Sequence, residues 1–298
     1  VTQFDANRRG MIALSFGMAS YTVNDTFVKL VSRDLPFGEV LFLRSALSIV
    51  ILVVVLGITG GLFHLASAAN RTVMLRSFFD AAGTVVFIAA LIHMKIADLS
   101  AVIMTTPLIL TALSAVMLGD EVGWRRWAAI AVGLTGTLFI VKPGVGTFDW
   151  WALVALAAAF LGAARDLATR RVDPTVPSLA IALYGTIAVT ASGLAVGLTE
   201  SWVVPSLEQF GFIAIAAIFL GIGTYLLIFA FRGVEISAVA PFRYTMLLWM
   251  GIAGYVAFGE VPDRWALFGA ALIVLSGLYA LHRETVVRRM AASGRAPD

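Results

Sequence analysis

Ten stretches of mostly apolar residues fill this chain almost from end to end. A helix needs ~20 such residues to cross a hydrocarbon core, and this sets the fold more firmly than any motif. The spans are Gly10–Val31, Phe37–Leu56, Val73–Met94, Leu99–Leu118, Trp127–Val141, Trp150–Thr169, Val176–Leu198, Phe210–Phe231, Ile236–Phe258 and Trp265–Leu281. Period-2 alternation is absent, so a barrel of spanning strands is not expected. A large soluble core is the competing explanation. Soluble domains, however, run near ~25% charged and ~45–50% apolar. This chain is 13% charged and 60% hydrophobic, too few charges for a water-facing exterior. An all-α integral membrane protein is therefore expected.

The connections are short and carry breakers: Pro36, Gly60-Gly61, Gly119-Asp120, Pro143-Gly144, Pro174, Pro205, Gly233 and Pro262. Only the tail from Arg283 reads as loosely ordered. Val1 to Arg9 is short and polar and meets the first span without a small-residue cleavage site, so no cleaved signal peptide is expected. Ten spans put both termini on one side. That side holds Arg8, Arg9, Arg71, Arg125, Arg126, Arg170, Arg171, Arg232, Arg283, Arg288, Arg289 and Arg295. The other holds Lys29, Arg33, Lys95, Lys142 and Arg264. The excess of basic residues places both termini in the cytoplasm.

The spans are also duplicated. Asp25, Lys29 and Pro36 recur as Asp166, Arg170 and Pro177 at one spacing of 141 residues. Ser100-Ala101-Val102 recurs as Ser237-Ala238-Val239, and Gly83-Thr84 as Gly223-Thr224. Gly119-Asp120-Glu121-Val122 recurs as Gly259-Glu260-Val261, followed in each case by an arginine and a tryptophan (Arg126-Trp127, Arg264-Trp265). Several matches in one order mark a repeat. The boundaries read as residues 1–145 and 146–284, with 285–298 a cytoplasmic tail. Each half holds an odd number of spans, so the second enters the membrane from the opposite side. Inverted repeats of this kind characterise secondary transporters, with a ligand site near the midplane between the halves.

These residues carry a resemblance to a known family. Leu43-Arg44-Ser45, Leu75-Arg76-Ser77, Ser100-Ala101-Val102 with Pro107 and Glu121, and Ser237-Ala238-Val239 with Pro241 and Glu260 resemble the drug/metabolite transporter superfamily, in its bacterial EamA-type branch. The resemblance runs from about Gly10 to Leu281. It implies export of amino acids or other small metabolites across a bacterial cytoplasmic (inner) membrane, and reports fold more than specificity. Asp80 departs from the family pattern, which marks it as a residue of specificity.

A charge at the bilayer centre costs about 2.5–3.5 kcal/mol on insertion scales, so such residues face the bundle interior. Asp25 with Lys29, and Asp166 with Arg170, are expected as i,i+4 pairs. They serve either as neutral packing pairs or as gates and proton sites, and Asn24 adds a second polar group beside Asp25. A substrate is asymmetric, so the charges that break the repeat are the sharper candidates for reading it. Arg44 maps to Gly185, Arg76 and Asp80 to Ala216 and Leu220, and Arg243 to Thr106. Arg76, Asp80, Gly83, Thr84 and Phe87 share one helical stripe, expected to line the cavity. The competing readings are an Arg76–Asp80 pair that is only neutral glue and an Arg243 that snorkels to the headgroups. Phe78, Phe79, Tyr244 and Trp249 are available to an apolar substrate moiety or to packing. Pro107 and Pro241 are expected to kink the fourth and ninth spans, freeing carbonyls or bending the helix passively. Trp124, Trp127, Trp150, Trp151 and Trp265 read as interfacial anchors.

No Gly-x-x-x-x-Gly-Lys-Ser/Thr occurs, so phosphate-loop ATP hydrolysis within this chain is excluded. The three histidines, His64, His93 and His282, are far apart, and there is no cysteine. Neither a metal ligand set nor thiol chemistry is therefore expected. No cofactor and no nucleic-acid partner is expected; the partners are a small-molecule substrate and the lipid bilayer. A secondary transporter, not an enzyme, is the leading expectation. A membrane enzyme on lipid-linked substrates would need a clustered catalytic set. A non-transporting subunit would leave the buried charges unexplained.

Overall fold

In the computed structural model, residues 3–58, 65, 69–119, 123–141, 150–173, 175–230 and 239–292 are described. Glu121, Lys142, Ser237-Ala238 and the boundary at residues 145–146 lie outside them, as do the Gly60-Gly61, Pro143-Gly144, Pro174 and Gly233 connections. The described residues trace all ten expected spans as helices. Seven are long and apolar enough to cross a membrane on their own. The first, Gln3–Val31, is diluted by polar Asn24 and Asp25. The fifth, Trp124–Val141, carries Arg125 and Arg126 in its first turn. The ninth has an α-helical part, Thr245–Phe258, of only 14 residues. The tenth helix, Arg264–Ala292, runs past its membrane stretch, so the tail expected to be loose from Arg283 begins as helix.

The fourth and ninth spans are broken as their prolines require. The fourth is two helices, Ile96–Ile103 and Thr106–Leu118, with Pro107 in the first turn of the second. Proline has no N–H and clashes with the preceding turn, so the break falls just before it. The hydroxyls of Thr105 and Thr106 donate to the Val102 and Ile103 carbonyls at 2.7 and 2.6 Å. The freed backbone is thus satisfied inside the helix, not by the cavity. In the ninth span Pro241 sits in a 3₁₀ turn, Ala240–Tyr244, and Thr245 donates to the Phe242 carbonyl at 2.6 Å. Both broken spans end on a glycine in the left-handed region, Gly119 at φ 72° and Gly259 at φ 65°. A side chain there would meet its own carbonyl, so the repeat keeps glycine at both stops.

The packing obeys an exchange of the halves. The first span lies against the eighth as the sixth lies against the third. The second lies on the eighth as the seventh lies on the third, and the first on the ninth as the sixth on the fourth. The pairs second–seventh, fourth–ninth and fifth–tenth map onto themselves. The fold is ten transmembrane helices in two inverted five-helix repeats, interleaved so that most contacts cross between halves. Of the five expected anchors, Trp124, Trp127, Trp150 and Trp265 are exposed at span ends. Trp151 instead stacks on His93 with ring centroids 3.7 Å apart.

Candidate functional site

Two polar clusters sit inside the bundle, one within the first half and one where the third span meets the second half. The first joins the first and second spans. Asn24, Asp25 and Arg44 are only 2%, 6% and 5% exposed. Arg44 donates through Nη1 to Asn24 Oδ1 in a long bond of 3.4 Å, and Asn24 Nδ2 donates to Asp25 Oδ1 at 2.8 Å. The asparagine amide thus bridges two opposite charges, offering an acceptor to one and a donor to the other. Arg44 Nε is buried without a partner.

Lys29 does not pair with Asp25, contrary to the i,i+4 expectation. Its ammonium donates to Glu260 Oε1 at 2.7 Å and to the Met94 carbonyl, and lies over the Phe258 ring. The second oxygen of Glu260 accepts the Ile96 N–H at 2.7 Å, at the first turn of the fourth span. A free helix N-terminus favours an anion, and the flexible lysine reaches the same carboxylate. Glu260, from the second half, therefore clamps two spans of the first half at the end the arginine count assigns to the outside.

The second cluster joins the third, sixth and seventh spans. Asp80 accepts from Arg76 Nη1 at 2.8 Å and from Arg165 Nη1 at 3.2 Å. Arg165 also holds Asp166, Nη2 to Oδ1 at 2.8 Å. The result is a chain of alternating charge, Arg76–Asp80–Arg165–Asp166. The expected Asp166–Arg170 pair is not formed; Arg170 donates to Ser114 Oγ at 3.1 Å. Gly185 makes the cluster possible, because a β-carbon there would overlap both Asp80 Oδ2 and Arg76 Nη1. The position that aligns with Arg44 thus holds the residue that leaves room for the other half's charges.

Arg165 escaped the sequence reading. It stands 141 residues after Asn24, so it breaks the repeat as Arg44 and Asp80 do. The match of its neighbour Asp166 to Asp25 masked that signal. The two clusters are equivalent under exchange of the halves but differently composed. They lie toward opposite ends of the spans and are unequally accessible. Side chains of the second are 15–29% exposed, whereas the first is sealed.

Arg243 lies in the 3₁₀ turn, half-buried, where it acts electrostatically on Asp166 and on Tyr21. Tyr21 in turn hydrogen-bonds Thr224, oxygen to oxygen 3.2 Å. Arg243 thus belongs to the second cluster's surroundings. The other expected residues scatter. Tyr244 is buried with its hydroxyl end against Gly277 and the hydroxyl unpartnered, and Trp249 packs into the core with Nε1 unpartnered. Phe79 is half-buried, in edge contact with an exposed Phe78. Of the third-span stripe, Gly83 packs against Leu161 of the sixth span. A recess of ≈ 350 Å³ between the fifth and tenth spans, around Trp124, Ala129 and Ser276, holds no acid and none of the cluster residues.

A helical membrane bundle of inverted repeats around buried mixed charges is the architecture of a small-molecule transporter. The chain belongs to the EamA-like transporter family, whose model matches residues 8–142 and 149–281. Named relatives differ in cargo. A riboflavin transporter from Rhizobium johnstonii is 27% identical over 71% of this chain and 70% of its own length. An S-adenosylmethionine uptake transporter from Rickettsia prowazekii is 25% identical over 92% and 93%. A pseudopaline exporter from Pseudomonas aeruginosa is 24% identical over 91% and 95%. A solved crystal structure, 19% identical, shares the fold at a TM-score of 0.65 over 93% of this chain and 98% of that one.

Proposed function

We propose that the chain is a secondary transporter that exports amino acids or related small metabolites across the bacterial cytoplasmic membrane. The two repeats, residues 1–145 and 146–284, rock about the region between them, with both termini in the cytoplasm. The observation that carries this is the pair of clusters: equivalent in position, opposite in depth, one sealed and one accessible. That is what alternating access leaves in a single conformation. On this reading the Lys29–Glu260 clamp holds the outer end shut, and the inner cluster, the more exposed of the two, is the one open to substrate. An aspartate of the cluster receives an amine and an arginine receives a carboxylate, each by charge-assisted hydrogen bonds. Asp25 and Asp80 are the residues available to carry a proton if transport is proton-coupled.

The relatives' names support small-molecule transport and span both uptake and export. Export here rests on the resemblance carried by the family motifs. The test is flux of labelled amino acids and small carboxylates through purified protein in proteoliposomes, with substrate supplied on either face. Saturable movement of at least one compound is expected, and no movement of any would overturn the reading.

A further inference from the structure

We propose that Arg243 is an anion subsite and that the transported species carries a net charge of −1, as an acidic amino acid or small monocarboxylate does. This deepens the transporter reading and rests on it. Three arginines act on the second cluster, Arg76 and Arg165 by direct contact and Arg243 at longer range, against two aspartates, Asp80 and Asp166. Both acids are already engaged. Asp80 accepts from Arg76 and Arg165, and Asp166 is held by Arg165. Arg243 makes no hydrogen bond or ion pair among the described residues, yet its field reaches Asp166 and Tyr21. One positive charge is left over.

An unmatched guanidinium inside a bilayer-embedded bundle is costly to hold. A bound monoanion removes that cost, since its carboxylate matches the planar guanidinium fork. A cation would raise the excess to two charges and be repelled. A zwitterion, with no net charge, would leave the excess in place. The sealed cluster on the first half has no such excess: Asp25 balances Arg44, with Asn24 between them. The unpaired charge is therefore a property of the accessible cluster alone. The 3₁₀ turn supports the role. It is the broken part of the ninth span, and it packs against the first span.

The experiment is equilibrium binding to purified full-length protein in detergent, followed by flux in proteoliposomes, using L-glutamate, L-lactate, L-leucine and S-adenosylmethionine as probes. L-glutamate or L-lactate is expected to bind about tenfold or more tightly than L-leucine, the order of one charge-assisted hydrogen bond, with S-adenosylmethionine weakest. Arg243→Gln is expected to abolish that preference at an unchanged thermal midpoint, and Arg243→Lys to retain part of it. Equal binding of L-leucine and both monoanions by the unaltered protein would overturn the proposal, and that comparison needs no variant to fold. So would an Arg243→Gln protein with undiminished preference for monoanions. Failure of the transporter reading looks different: the binding preference would hold while no probe crossed the membrane.

Discussion

Asp80 ties the third span to the sixth, accepting from Arg76 on its own helix and Arg165 on another, while among the described residues Asp166 forms an ion pair with Arg165 only. Removing its charge leaves two half-buried guanidinium groups under-neutralised. Asp80→Asn is expected to slow initial transport by about tenfold or more, and Asp166→Asn by only a few-fold, with each charge-assisted bond worth roughly 1.5–3 kcal/mol. Rates in proteoliposomes at equal protein density decide it; equal losses would remove Asp80 from the centre of the site. Gly185→Ala tests the same pair from the opposite helix. Its methyl displaces Arg76 and Asp80 without touching any charge, and is expected to cost transport as Asp80→Asn does, with protein yield preserved. At this scale the sequence was partly legible. Asking which charges break the repeat found Arg44, Arg76, Asp80 and Arg243, because asymmetry can be counted along a chain. Pairing residues four apart failed at both Asp25 and Asp166. Helical spacing says which side chains share a face, not which tertiary acceptor a long lysine or arginine will reach.

Among the elements, the broken spans were the most legible and their end clamps the least. Pro107 and Pro241 announce a break by removing a donor, and Gly119 and Gly259 announce a stop by tolerating positive φ. Nothing local tells Glu260 that it will meet Lys29 and the Ile96 amide. Those partners belong to spans more than 160 residues away in sequence. The clamp makes a measurable prediction. The side chains of Lys29 and Glu260 are 9% and 16% exposed, so removing one strands the other nearly dry. Breaking a fully buried pair from one side costs about 3–5 kcal/mol, and this less enclosed pair should fall at or below that range. Lys29→Met and Glu260→Gln should each lower the thermal midpoint in detergent. The double variant should lose clearly less than the two single losses combined, since it leaves no lone charge. Strict additivity would show that the two groups do not act together.

For the whole molecule, the interleaving of spans is what converts duplication into mechanism. Because the first span packs on the eighth as the sixth packs on the third, neither half encloses a core without the other. On the proposed mechanism, a tilt of one half against the other opens one cluster as it closes its equivalent. Sequence spacing disclosed the duplication and the odd span count disclosed the inversion. The pairing of spans between halves was not legible, because apolar faces in lipid carry no period that names their partner. Inversion itself can be tested with chemistry the chain already permits, since it has no cysteine of its own. Arg126 and Arg264, each followed by tryptophan, stand at equivalent places in the two repeats, in the first turns of the fifth and tenth spans. In a parallel duplication they would face the same compartment. In an inverted one they cannot. Single cysteines at the two positions, probed in right-side-out and inside-out vesicles with a membrane-impermeant maleimide, should label from opposite faces. The count of basic residues says which: Arg126→Cys from the cytoplasmic face and Arg264→Cys from the outer face. Labelling of both from one face would sink the inverted repeat, and with it the claim that one packing has two mirror-related states. Opposite faces in the reverse sense would keep the repeat but turn the molecule over. The sealed cluster would then be the cytoplasmic one, and the clamp at Lys29 an inner gate.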